Sequence, residues 1–167
     1  MSRIRLPKGT IVLALAALVW TTGLASAQNP HFIKASASLD NAGDLVCSFK
    51  EAGLGDTETT YTCQADAAVT CTCVTNSGKC PAAANKVSFS SSVSQQGTFD
   101  PHNGTVSATL TATAPACPAS NPPTCGGGQT LKLSAVTYTN IVLEDVTHIV
   151  FASDLPTQLS ATFFTCP

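Results

Sequence analysis

The stretch YTCQADAAVTCTC, residues 61–73, alternates between two kinds of side chain along almost its whole length. Every odd position carries an apolar residue or a cysteine, and the even positions carry threonine, glutamine or aspartate, with Ala68 as the exception. Successive side chains of a β-strand point to opposite faces, so this period of two predicts one long strand that is buried on one face and bends near Asp66.

The same alternation recurs along the chain, whereas helical periodicity is nearly absent. About eight strands are predicted, with turn residues such as Gly53-Leu54-Gly55-Asp56 between them. The inward positions of the first strand are Ile33, Ala35, Ala37 and Leu39. In residues 129–146 Val136 and Tyr138 break the phase, which predicts a bulge or a turn near Thr139-Asn140.

Many short strands in a domain of this size are typical of a sandwich of two sheets. We therefore expect an all-β protein, an antiparallel β-sandwich of about eight strands that is immunoglobulin-like in the broad sense. The specific immunoglobulin pattern needs a core tryptophan, and the only tryptophan, Trp20, precedes the first predicted strand. A jelly roll is the alternative.

The N-terminal segment has the order of a secretory signal. Basic residues at Arg3, Arg5 and Lys8 precede an apolar run at 11–20, and Ala25-Ser26-Ala27 follows. The run is too short to span a bilayer, and no second long apolar segment follows it. We expect residues 1–27 to be removed as a signal peptide, and residues 28–167 to form a single soluble domain that is secreted and extracellular.

Charge excludes two classes of partner. After residue 27 the chain keeps five lysines and no arginine against ten acidic residues, a formal charge of −5. An acidic chain of this kind lacks the basic surface that nucleic acids and anionic lipids require. We expect an unknown extracellular or cell-surface partner instead.

All eight cysteines lie beyond residue 27, and an even number in an exported chain predicts disulfides. The candidates are Cys47, Cys63, Cys71, Cys73, Cys80, Cys117, Cys125 and Cys166. Cys71 and Cys73 share a face of one strand on parallel vectors, about 6.5 Å apart, so each is expected to bond elsewhere. C-x-C without a nearby histidine fits a zinc site poorly, and we predict neither a metal nor a cofactor.

Two bridges are suggested by local geometry. Cys47 and Cys63 lie symmetrically about Gly55, so a hairpin there makes them face each other. Cys117 and Cys125 bracket PASNPPT, a segment unable to enter a sheet, and a bridge between them would pin that loop. A bridge at Cys166 would keep the last strand from fraying.

Several stretches carry a resemblance that covers nearly the whole mature chain: NPHFI at 29–33, SFKEAGLG at 48–55, CVTNSGKCPAAANK at 73–86, NGTVSATL at 103–110 and GQTLKLSAVTYTNIVLED at 128–145. They resemble a group of small exported bacterial proteins of uncharacterised function. The resemblance implies no activity, cofactor or catalytic residue. It does imply a bridge between Cys73 and Cys125, which conflicts with the local Cys117–Cys125 pairing, and we favour the bridge that the resemblance implies.

No catalytic residues are predicted, because neither H-E-x-x-H nor G-x-S-x-G occurs. On a continuous strand Asp145 and His148 point to opposite faces, and so do the adjacent Glu144 and Asp145. Residues 100–105, DPHNGT, offer oxygen ligands for calcium but lack a terminal glutamate, which favours an ordinary turn. The chain offers one pool for an enzyme site: Asp100, His102, Glu144, Asp145 and His148.

The leading functional hypothesis is therefore an exported, non-enzymatic β-sandwich with a structural or binding role. Sheet edges or the loops at 76–84 and 115–129 are its expected contact surfaces. The alternatives are an inhibitor that presents the 117–125 loop to extracellular enzymes, and a secreted hydrolase built from the scattered pool. Sugar binding is disfavoured, because Tyr138 is the only aromatic platform expected to be exposed.

Overall fold

A computed structural model describes residues 29–81, 84–118 and 125–166. The predicted signal peptide and its cleavage point lie outside the described residues. The described chain forms eight strands and no helix: β1 (His31–Leu39), β2 (Leu45–Ala52), β3 (Thr59–Thr75), β4 (Lys86–Phe99), β5 (Thr105–Ala112), β6 (Gln129–Asp145), β7 (Val150–Phe151) and β8 (Gln158–Thr162).

The strands form two antiparallel sheets, which confirms the all-β sandwich. One sheet has three strands in the order β1-β2-β5. The other has five, in the order β4-β3-β6-β7, with β8 also paired to β6. Their facing sides enclose one core, in which the Phe49 ring of β2 lies 4.4 Å from the Tyr61 ring of β3, centroid to centroid.

The long strand β3 is the centre of the larger sheet. It pairs with β4 on one side and with β6 on the other. From Thr59 to Cys73 its odd positions are all buried, as the alternation predicts. The core therefore lies on the face that the sequence pattern assigns to it.

Of the bulge or turn predicted near Thr139-Asn140, the structure shows a bulge within β6, and it corrects the expectation for Tyr138. Asn140 has a φ of +53°, and the β3–β6 register shifts between Gln64 and Asp66 on the facing strand. Tyr138 consequently points inward and is fully buried, with its hydroxyl donating to the Gly43 carbonyl at 2.9 Å. The expected exposed platform was wrong, because a bulge exchanges the two faces of a strand.

A second bulge corrects the first strand. The β1–β2 register shifts between Phe32 and Lys34, which leaves Ile33 on the surface. Phe32 takes the inward position, and its ring packs edge-on against Phe49 at 5.9 Å. The inward assignment of Ile33 was therefore wrong.

Four disulfides use all eight cysteines: Cys47–Cys63, Cys71–Cys117, Cys73–Cys125 and Cys80–Cys166. The hairpin pairing and the Cys73–Cys125 pairing implied by the resemblance are both present. The Cys117–Cys125 pairing was wrong, because each of these cysteines reaches β3 instead of the other.

The shapes of the two sheets explain where Cys117 and Cys125 bond. The smaller sheet ends where Ala112 pairs with Leu45, and β3 continues well past that level. Cys117 and Cys125, which follow β5 in the chain, lie against the uncovered part of β3, where they bond to Cys71 and Cys73. The bridges thus complete a core that the smaller sheet is too short to cover. We name this part of the molecule the disulfide end.

Every thiol is expected to resist alkylation before reduction, because the structure leaves no cysteine free. Intact mass measurement of the exported, unreduced protein after alkylation tests this, and the same protein reduced before alkylation is the control that takes up eight labels. Four or more labels without reduction would contradict the framework.

Candidate functional site

The strand register brings all three histidines to the end of the sandwich opposite the disulfide end. His31 pairs with Ala52, and Ala52 pairs with Thr105 on its other side. His102 lies in the turn just before Thr105, and His148 follows the end of β6. We call this region the histidine end.

Asp145 and His148 form a hydrogen-bonded pair there. Asp145 is fully buried, and its Oδ2 lies 2.7 Å from Nδ1 of His148. Its Oδ1 accepts the backbone amides of Thr147 at 2.9 Å and His148 at 3.1 Å. The expectation of opposite faces was wrong, because β6 ends at Asp145 and the chain turns, so the alternation of a strand no longer applies.

The geometry of this pair fixes the orientation of the imidazole. A carboxylate at Nδ1 favours a proton on that nitrogen and leaves Nε2 as the acceptor. Such a histidine can take a proton from a bound group. No hydroxyl or thiol of the described residues hydrogen-bonds to Nε2, so the pair has no nucleophile of its own there.

Glu51 and Tyr61 form a second polar pair inside the same end. Both are fully buried, and neither the Glu51 carboxyl oxygens nor the Tyr61 hydroxyl makes a hydrogen bond within the described residues. The pKa of Glu51 is raised to about 7, and burial is the largest cause. The nearby Tyr61 hydroxyl lowers the pKa in part, and the negative charge of Asp145 raises it. The hydroxyl is close enough to favour the carboxylate but lies outside hydrogen-bonding geometry.

The predicted enzyme pool is divided between separate surfaces. Asp100 and His102 line an open groove of about 580 Å³ together with Lys50, and Asp145 and His148 are not among the residues that line it. Glu144, directly before the buried Asp145, is half-exposed. The structure does not bring the five residues into one cavity within its described part.

The segment considered for calcium is a tight hairpin turn. His102 and Thr105 exchange both backbone hydrogen bonds, at 2.8 and 3.2 Å. Asn103 and Gly104 between them both have positive φ, the conformation that tight hairpins require. Among the described residues no group of three or more histidine, cysteine or acidic side chains is arranged to hold a metal ion.

Four large apolar side chains are exposed at the histidine end. The turn after β6 and strand β7 carry three of them, and β1, which contacts β7, carries the fourth. We define the apolar patch by these residues and their exposed fractions: Ile33 55%, Val146 42%, Ile149 74% and Phe151 57%. Ile149 has a φ of +59°, a conformation that a β-branched residue rarely adopts.

The sequence analysis identified neither the buried Glu51 nor the apolar patch, although the sequence contained a signal for Glu51. Leu45, Cys47, Phe49 and Glu51 all occupy odd positions of β2, so the alternation already placed Glu51 inward with the core residues. The apolar patch left no such signal, because Ile33 depends on a bulge and Ile149 on a turn.

The chain matches no family model, no curated protein and no solved structure. None of its described residues belongs to a helix long and apolar enough to cross a membrane. The function is therefore inferred from the residues of the histidine end themselves.

Proposed function

We propose that this protein is an exported, non-enzymatic binding protein that acts outside the cell and contacts a partner protein through the apolar patch at its histidine end. The observation that carries the proposal is Ile149, which is both the most exposed large apolar side chain described and a residue with strained backbone. Clustered exposed apolar side chains mark interaction sites in proteins of this size.

The strain at Ile149 argues for a role in contact. A left-handed conformation costs a non-glycine residue roughly 1–2 kcal/mol, and glycine or asparagine would adopt it more easily. Stability alone therefore disfavours isoleucine at 149. Strain of this kind persists where function requires the side chain.

The turn that carries the patch is held rigidly. The Val146 amide donates to the Thr60 carbonyl at 2.8 Å, and the Thr60 amide donates to the Thr147 hydroxyl at 2.9 Å. The buried Asp145 fixes the turn from inside through its two backbone bonds. A surface arranged before binding loses less conformational freedom on association, which favours affinity.

The extracellular location is supported by the disulfides. Four bridges in one small domain fit an oxidising compartment. Removal of residues 1–27 as a signal peptide, an architecture that is immunoglobulin-like in the broad sense, and the resemblance to small exported bacterial proteins remain part of the proposal. The inhibitor alternative stays a prediction, because residues 119–124 of its presenting loop lie outside the described residues.

We expect Ile149→Asn to separate stability from binding. Asparagine tolerates positive φ and removes the most exposed apolar side chain, so unfolding should cost about 1 kcal/mol more while partner retention is lost. The measurement is a pull-down with the oxidised mature protein from extracellular fluid and cell-wall material, together with chemical denaturation. Ile149→Val, which keeps an apolar β-branched side chain, is the matched control and should retain the partner.

Phe151→Ser provides a second test within the same patch. It should also abolish retention, whereas Ser153→Ala, an exposed change two residues further on, should not. Retention of the same partner by Ile149→Asn and Phe151→Ser would contradict the proposed surface. Failure of the unaltered protein to retain any specific partner would contradict the binding function.

A further inference from the structure

Strand β4 has one edge that pairs with no other strand in the described chain. β4 is the last strand of the larger sheet and pairs only with β3, in an unbroken register over fourteen residue pairs from Thr59↔Phe99 to Thr72↔Lys86. Just beyond that ladder, the Cys73 amide donates to the Asn85 carbonyl at 2.9 Å.

That hydrogen bond shows which backbone groups of β4 are free. In an antiparallel ladder alternate residues direct both their amide and their carbonyl toward the partner strand. The odd-numbered residues of β4 therefore face β3, as Asn85 does. The even-numbered residues direct their amides and carbonyls to the open edge: Lys86, Ser88, Ser90, Ser92, Ser94, Gln96 and Thr98.

The edge lacks the features that usually prevent strands from pairing between molecules. Natural edge strands are short, charged, bulged or interrupted by proline. β4 is fourteen residues long, shows no register shift against β3, and contains neither a proline nor a charged residue after Lys86. The unpaired amides and carbonyls along the open edge of β4 are a template on which another strand can pair.

The inner face of β4 is also incompletely covered in its first half. The smaller sheet ends near the level of Val93, and before that point Val87 and Phe89 are only half-buried while Ser91 is exposed. Half-buried apolar side chains beside a free edge gain from a neighbouring strand that extends the sheet.

We propose that two copies of this chain associate through β4, paired antiparallel about a two-fold axis, so that their five-stranded sheets join into one continuous sheet. An edge that pairs with its own copy meets the requirement of a two-fold interface, in which the same surface serves both partners. This association is independent of the apolar patch, which lies at the histidine end.

The sequence of β4 is compatible with its own reversed copy. With Ser90 opposite Ser90 of the other copy, Ser88 faces Ser92 and the single charge, Lys86, faces Ser94. On the inner face, Val87 then lies opposite Val93. No like charges oppose each other, and Val87 meets Val93 on both sides of the axis, an apolar pairing that stabilises strands, while Phe89 faces the exposed Ser91.

Ser90→Pro tests the proposal by removing an amide that β3 does not use. Proline is tolerated where its missing amide would face away from the sheet, so the fold should survive. Each copy loses one hydrogen bond across the axis, at roughly a factor of five each, so the dimer should weaken by about 25-fold. The measurement is analytical ultracentrifugation of the oxidised mature protein over the micromolar range. Ser90→Ala, which keeps the amide, is the matched control and should remain dimeric.

A charge exchange at the same position tests the identity of the partner and does not depend on proline. Ser90→Lys or Ser90→Glu alone should give monomers, because like charges then face each other across the axis, and an equimolar mixture of the two should restore a dimer. A monomeric unaltered protein would overturn the proposal, and so would binding of β4 only to a strand from another protein. A mixture that stays monomeric would overturn the proposed register.

Discussion

Glu51→Gln is expected to make the protein more stable than the unaltered chain at pH 8, by up to about 3 kcal/mol, and to leave the two equal near pH 4. The pKa of Glu51 lies at its ordinary 4.5 when the chain is unfolded and rises to about 7 in the fold. The folded state thus holds the proton more tightly. The stability that protonated Glu51 contributes to the fold is full below pH 4.5 and falls as the pH rises to about 7. Above that pH the stability no longer changes through this group.

Glutamine imitates the protonated form of Glu51 and does not ionise. The difference in unfolding free energy between the two proteins should therefore grow between pH 4.5 and 7 and then level off. Chemical denaturation at pH 4, 6 and 8 measures it. Glu58→Gln, an exposed change in the loop before β3, is the matched control and should follow the unaltered protein. A difference that does not vary with pH would contradict the assignment to Glu51.

The second large effect is a loss of stability when both bridges between β3 and the chain after β5 are removed. Replacing Cys71 and Cys117 by alanine removes one bridge, but Cys73 and Cys125 still close a loop of similar length. The same holds when the second bridge is removed alone. Because the remaining bridge retains most of the restriction on the unfolded chain, each loss should cost less than about 2 kcal/mol.

Removing both bridges should cost about 4 kcal/mol or more, beyond the sum of the separate losses, because nothing then limits the loop. Denaturation of the two double-cysteine variants and of the combined variant measures this coupling. Replacement of Cys47 and Cys63 is the control, since that bridge closes a different loop and its loss, about 3 kcal/mol, should add independently. Additive costs for the neighbouring bridges would show that they do not restrain one segment.

The period of two predicted the fold well because burial on one face controls a whole strand. It located β3, its inward cysteines and the sandwich class, and it indicated the bulge in β6 from the phase of Val136 and Tyr138. It failed for Ile33 and Tyr138, where one extra residue exchanges the faces, since a bulge is set by contacts with the neighbouring strand.

The candidate site was harder to predict for two physical reasons. The Asp145–His148 pair depends on where β6 ends, and strand ends are decided by turns and pairing that the alternation does not describe. The histidine end itself is assembled by register, which brings His31, His102 and His148 together from distant parts of the chain. The alternation in β2 placed Glu51 on the inward face, but a charged residue is not expected in a core, so Glu51 was not counted among the core residues.

The placement of Cys71 and Cys73 on one face of β3 also affects how the protein is made. Two neighbouring thiols face one segment that carries two others, so oxidation can form a crossed isomer in which Cys71 takes Cys125 and Cys73 takes Cys117. Conversion of that isomer to the native pairs requires thiolate attack and exchange, which is slow without a catalyst. The yield of native protein should therefore depend on disulfide isomerase activity in the compartment where the chain matures, and not only on oxidising conditions.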